Sequence, residues 1–388
     1  MPKIKSLALV ILSFAATHVL AVNNTADLTQ IGDNNTFEVQ QFGQGGKASF
    51  SQDGTGNSAS LYQTGLESEV QVTQQGISNS ADNISLGGME STSSVEQNGD
   101  NNATTVFQAY NDLSQSNITQ DGSSNTAYTS QENTLTSHQD LVQKGNGNFA
   151  NATQNSEISR QTITQLGNDN TAFSDQFASD QVTVTVYQEG NSNIAHANQE
   201  NTVSSDVSVS QTGNDNGVVV LQRFGSSHTV TANQNGNSNS ARVYQDGSDN
   251  QFRATQTGNG NLATGRDGNK DAGSAYQMGN NNLADATQTG NGNELYFDQI
   301  GDLNSLSTVQ NSDNNEIIGS SIGDGDIVSV VQDGYSQSAH ITQSSSQNMA
   351  VVAQTGSLNA VNMTQTTAGN MANVVQSGVN NSTLIAQH

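Results

Sequence analysis

From residue 24 onward the chain alternates between two kinds of position. Asn35-x-Phe37-x-Val39-x-Gln41, Ser205-x-Val207-x-Val209-x-Gln211 and Asn216-x-Val218-x-Val220-x-Gln222 show the pattern. Small, apolar or amide side chains occupy every second residue. A period of two places them on one face of a β-strand. The alternating runs are short, and each ends in Gln.

That Gln returns every 11 or 12 residues, with one step of 10 before Gln277. Gln fills 30 of 33 such slots; Ser85, Asp267 and Ser321 are the exceptions. Six residues before the slot stands Asn in 21 cases and Ser in six. Two residues after it stands Gly in 22 of 32 cases, and Gly allows the positive φ that a tight turn needs. Each unit therefore predicts a strand of about seven residues and a turn of about four. Several 12-residue steps follow a Gln without that Gly, as at Gln108, Gln131, Gln176, Gln199 and Gln222, and predict a wider turn. Two units make one two-stranded coil of about 22–23 residues. The fold class is all-β: a β-solenoid of about 16 coils with two facing parallel sheets in an amyloid-like cross-β stack.

Charge tells which face is inside. The four alternating positions of each unit hold only three formally charged side chains, Asp267, Asp271 and Asp326. Burying an unpaired charge is costly, so this depletion marks the interior. Glu38, Asp53, Lys144, Asp169, Glu189 and Asp246 fall on the other face.

A buried amide must find partners for two donors and a carbonyl. Stacking identical amides at the strand spacing solves this, because each carbonyl accepts from the next amide along the axis. A one-residue slip would bury the charged face, so the columns also set register. The candidate ladder and assembly residues are Gln30, Gln41, Gln52, Gln63, Gln97, Gln108, Gln120, Gln131, Gln188, Gln199, Gln211, Gln222, Gln376 and Gln387, with Asn35, Asn102, Asn125, Asn193, Asn216 and Asn381. The candidate turn glycines are Gly32, Gly99, Gly122, Gly190, Gly213 and Gly378. Phe37, Phe50, Val184, Phe252 and Phe297 are expected to fill the space between the sheets.

Lys3 and Lys5, the apolar run Leu7 to Phe14 and Val19-Leu20-Ala21 read as a signal peptide over residues 1–21, leaving 22–388 as a single repeat domain. The hydrophobic fraction is 32%, low for a globular core, but the charged fraction is only 12%. Such amide-rich chains suit stacked β structure. There is no Cys, so no disulfide holds the fold, and the only Pro is Pro2. The net charge of −25 excludes nucleic-acid binding by phosphate neutralisation and slows self-association.

The pattern Gln-x-Gly-x-x-Asn-x-x-x-x-x-Gln resembles the curlin repeat of curli fibre subunits. Gln97 to Gln108, Gln188 to Gln199 and Gln211 to Gln222 carry it, with Ser91, Ser114 and Ser205 opening strands and Ala127, Ala195 and Ala241 two residues after Asn. The resemblance covers residues 24–387. It implies a secreted subunit of an extracellular, cell-surface amyloid fibre of a Gram-negative bacterium, serving adhesion and the biofilm matrix. It further implies self-association as the main partnership, a minor nucleator subunit and a dedicated outer-membrane channel. The chain has far more repeats than the family's usual five, and only a few residues where the family has a Gly-rich targeting segment.

Gln30 lies nine residues after the expected cleavage, and Gln387 is penultimate. Open strand edges at both ends are therefore expected to template the next copy. The competing reading is a non-polymerising, secreted or surface-tethered adhesin scaffold, favoured by length and charge. No catalytic, cofactor or metal site is expected. The turn Gly323-Asp324-Gly325-Asp326 resembles a calcium β-roll, but such rolls repeat every nine residues and this chain every eleven. The six His share no metal-ligand spacing, and no ordered Ser, His and Asp triad is present.

Overall fold

A computed structural model describes residues 23–264 and 275–388. The expected signal peptide lies outside the described residues, as do Asp267 and Asp271. Every regular element among the described residues is a β-strand. The chain divides into two compact units, Met1–Gly147 and Asn148–His388.

In the first unit, strands Thr25–Asp33, Lys47–Thr55, Glu69–Ile77, Thr92–Asp100, Gln115–Ser123 and His138–Asn146 form one parallel sheet. The strands between them, from Thr36–Gln41 to Thr126–Glu132, form the other. Pairing is residue for residue: Gln30 opposes Gln52, which opposes Gln74, then Gln97, Gln120 and Gln143. One arc adds a short ladder of single bridges through Gln44, Leu66, Met89, Asp112 and Leu135. The second unit repeats the plan from Phe149–Glu157 to Ser382–Gln387.

Each unit is thus a β-solenoid, as the alternation predicts. The inward positions are buried without exception in the middle rungs: Thr183–Asn191 reads Val184, Val186 and Gln188 inward, each at most 1% exposed. Phe50, Phe252 and Phe297 are buried between the sheets, while Phe37 in the second strand is half-buried and meets Phe50 edge to face at 5.5 Å.

Around slot 267, which lies outside the described residues, the spacing departs from eleven: Gln277 pairs with Gln245 across 32 residues. Leu262–Thr264 and Ala275–Asn280 share a single rung, both pairing with Ser240–Ser248 on one side and Glu294–Ile300 on the other. The 33 strands among the described residues therefore make 32 rungs, or 16 coils. Of the three apparent interior charges, Asp326 alone lies among the described residues.

The 12-residue steps do take a different turn. At Tyr110, Asn133, Ala178, Asn201 and Phe224 the position of the turn Gly holds an L-residue with φ of 46–55°. At Ala178 the extra residue is a bulge: Asn155 opposes Phe177, but Ser156 opposes Ser179.

Candidate functional site

The candidate site is the set of side-chain columns running through each unit. Strand alternation points one Gln per rung inward, and parallel in-register pairing stacks those Gln at the strand spacing. In the first unit Gln30 Nε2 donates to Gln52 Oε1 at 3.0 Å, Gln52 to Gln74 at 2.7 Å, Gln74 to Gln97 at 2.8 Å, Gln97 to Gln120 at 2.9 Å and Gln120 to Gln143 at 2.8 Å. In the facing sheet Gln41 donates to Gln63 and Gln108 to Gln131, each at 2.9 Å. In the second unit Gln188 donates to Gln211 and Gln199 to Gln222, each at 2.9 Å, and the columns continue to Gln354–Gln376 and Gln365–Gln387.

Every one of these bonds runs the same way, from the lower-numbered Gln to the higher. The second amide hydrogen goes elsewhere: Gln52 donates to Thr36 O at 3.0 Å and Gln211 to Ile194 O at 3.0 Å. Each Gln thus also joins its own sheet to the facing one. At the Ser slots the column differs. Ser321 Oγ donates to Gln343 Oε1 at 2.9 Å and keeps the column polar, whereas Gln63 turns its amide to Ser68 O at 2.8 Å above Ser85.

The Asn columns do more than stack. Asn102 Nδ2 donates to Asn79 Oδ1 at 3.1 Å and to Gly122 O at 2.8 Å, while its backbone N–H donates to the same Asn79 oxygen at 3.0 Å. Asn125, Asn193 and Asn216 repeat this arrangement, and Asn381 bonds Asn359 at 2.9 Å. Asn35 donates to Gly54 O and accepts from Asn57 N–H, each at 3.0 Å. Asn thus satisfies the turn carbonyl of the neighbouring coil, which explains why Gly and Asn recur together.

The glycines stack too. Gly213 has φ of +116°, and a Cβ placed there would lie 1.9 Å from Gly236 O. Gly32, Gly99, Gly122 and Gly190 are the same case, each facing a carbonyl at about 2 Å, whereas Gly378 in the penultimate strand meets only Asn381 Nδ2 at 3.6 Å. Positive φ was legible; the requirement for no side chain between stacked coils was not.

A further column escaped sequence reasoning. On the outside of one arc, Asn168 Nδ2 donates to Asn191, Asn191 to Asn214, Asn214 to Asn237, Asn237 to Asn259, Asn259 to Asn291 and Asn291 to Asp313, at 2.9–3.0 Å. Its signal is an amide or Asp three residues after the ladder Gln.

Among the described residues, two titratable side chains stand at the Asn positions. Asp326 is fully buried, accepts from Asn348 N–H at 2.9 Å through one oxygen, and leaves Oδ2 without a partner. Burial raises its carboxyl above the usual 3.8, and nearby Asp324 adds to this against the bonds from Asn348. His228 is also fully buried, and burial pushes its imidazole below the usual 6.5, keeping it neutral.

Among the described residues no group of three His, Cys, Asp or Glu is placed to hold a metal, and a small cavity beside the split rung is lined mainly by Phe252, Ala275, Leu295 and Phe297. No helix among the described residues is long and apolar enough to cross a membrane.

The curlin-associated repeat matches residues 48–76, 183–213, 204–236, 229–258 and 279–310. Each matched stretch contains one bonded Gln pair of a single sheet, namely 52–74, 188–211, 211–234, 234–256 and 288–310. The chain carries curlin-associated repeats. No curated protein matches it. The curlin-repeat family is structural rather than enzymatic and implies an extracellular fibre.

Proposed function

We propose that this curlin-repeat protein is the structural subunit of an extracellular, curli-like amyloid fibre on the surface of a Gram-negative bacterium, where it serves adhesion and the biofilm matrix. Copies stack end to end, the first rungs of one on the last rungs of another. One observation carries the reading: the Gln columns have a direction. Every Gln–Gln bond found among the described residues donates toward higher residue number. The outer side of Gln30 and Gln41 therefore offers amide carbonyls, and the outer side of Gln387 offers an amide N–H. A second copy stacked in the same sense sets donor against acceptor, while a copy stacked in the opposite sense sets like against like.

The terminal rungs support this. Leu28, Gln30, Ile385 and Gln387 point inward yet are only half-buried, because among the described residues each terminal strand pairs on one edge alone. Unpaired strand edges are templates for further strands. A minor nucleator and an outer-membrane secretion channel are the further partners this reading includes.

The test is direct. Purified protein freed of residues 1–21 should polymerise after a lag, bind thioflavin T and diffract at about 4.7 Å along the fibre axis. Preformed fibres should remove the lag. A protein that stays monomeric for days at tens of micromolar, seeded or not, would instead be an adhesin scaffold.

A further inference from the structure

The structure points to a modification site that fibre formation does not use. We propose that Tyr244 and Tyr276 form an oxidative cross-linking site, in which a one-electron oxidising system couples the two rings into an intramolecular dityrosine.

The two rings stack face to face, with centroids 4.7 Å apart and planes at 16°. They are held there by register, since Tyr244 opposes Tyr276 in paired parallel strands and both point outward. Among the described tyrosines no other pair stacks. Both rings are half-exposed, so a small oxidant reaches them. A proton acceptor stands in place: Tyr244 O–H donates to Asp246 Oδ2 at 3.4 Å. Burial and the neighbouring carboxylates raise both phenols above the usual 10.0, so each is protonated at neutral pH and must lose its proton as it loses its electron.

The chemistry balances with hydrogen peroxide and a haem peroxidase as the oxidising system. Each phenol gives up one electron and its hydroxyl proton, the latter to Asp246 or water. The two phenoxyl radicals carry spin on the ring carbons beside the hydroxyl. Stacking brings those carbons over one another; a carbon–carbon bond forms, and each of these carbons passes its hydrogen to its own phenol oxygen. The net change is loss of two hydrogens from the protein and reduction of one peroxide to two waters.

The location gives the bond a consequence. Tyr276 lies in Ala275–Asn280, the second part of the split rung, and Tyr244 lies in the unbroken strand Ser240–Ser248 beside it. The cross-link would tie the split rung to its neighbour. The chain has no Cys, so a disulfide is not open to it.

The experiment treats the full mature protein, as monomer at low concentration, with peroxide and horseradish peroxidase. Expected are dityrosine fluorescence, a mass lower by two hydrogens without dimer on a denaturing gel, and a linked peptide pair containing Tyr244 and Tyr276. Coupling should be at least tenfold slower in urea-unfolded protein and in Asp246→Asn, and absent from that position in Tyr276→Phe, which keeps the stack. Links mapped to other tyrosines, undiminished yield in Tyr276→Phe, equal rates folded and unfolded, or no dityrosine at all would each overturn the proposal.

Discussion

Replacing Gln211 with Met tests whether the columns stabilise the fold through hydrogen bonds or merely through volume. Gln211 is fully buried and makes three bonds: its amide donates to Gln234 Oε1 at 2.9 Å and Ile194 O at 3.0 Å, and its carbonyl accepts from Gln188 Nε2 at 2.9 Å. Met fills a similar volume and opens no large cavity. What is lost is polar. Gln234 Oε1 is left without its donor, at about 1–3 kcal/mol for a stranded buried acceptor. Gln188 keeps its bond to Thr171 O, so losing its second acceptor, like the loss at Ile194 O, costs about 0.5–1.5 kcal/mol each. The sum is roughly 2–6 kcal/mol, concentrated on three adjacent rungs. Solenoid stability is local and nearest-neighbour, so a global melt would blur this loss. Hydrogen exchange by mass spectrometry over Thr183–Asn191, Asp206–Asn214 and Thr229–Asn237 resolves it. Protection there should fall at least tenfold, since about 1.4 kcal/mol is a factor of ten. Thr212→Met, on the exposed face of the same strand, should leave protection unchanged. Equal protection in Gln211→Met and the wild type would refute the view that amide bonding, rather than side-chain volume, selects Gln.

Two further outcomes follow from the same geometry. Gly213→Ala places a methyl group against Gly236 O and should destabilise its coil by more than about 1 kcal/mol, whereas Gly217→Ala, with nothing within 4 Å of the new carbon, should stabilise slightly or be neutral; limited proteolysis of the two variants separates them. Asp326 has a raised folded-state pKa, so the stability it contributes is complete below the usual 3.8 and disappears as pH rises through the raised value. Asp326→Asn should therefore slow exchange over Ile327–Tyr335 at neutral pH and flatten its pH dependence; a variant less protected than the wild type at pH 7 would sink that account.

Much of the architecture could be read from residue order. The period of two, the Gln slots and the exclusion of charge from them specify strands, their inner face and their register, because each is a local demand repeated many times. Val184, Val186 and Gln188 could point nowhere but inward. The amide stacking of Gln97, Gln120 and their counterparts follows from the need to satisfy a buried amide. Gln277 shows the limit. Spacing alone sets successive Gln of one sheet 22 or 23 residues apart, but Gln245 bonds Gln277 directly across 32 residues.

Amino-acid order determined that this chain builds stacked, amide-lined coils with neutral interiors. Three-dimensional pairing alone decided the direction of the Gln bonds, the capture of Gly carbonyls by Asn, the outer Asn column and the meeting of Tyr244 with Tyr276. The physical reason is range. Alternation is a property of neighbouring residues, whereas a hydrogen bond or a ring stack between residues 22 to 32 apart exists only once the sheet has set which side chain lies above which.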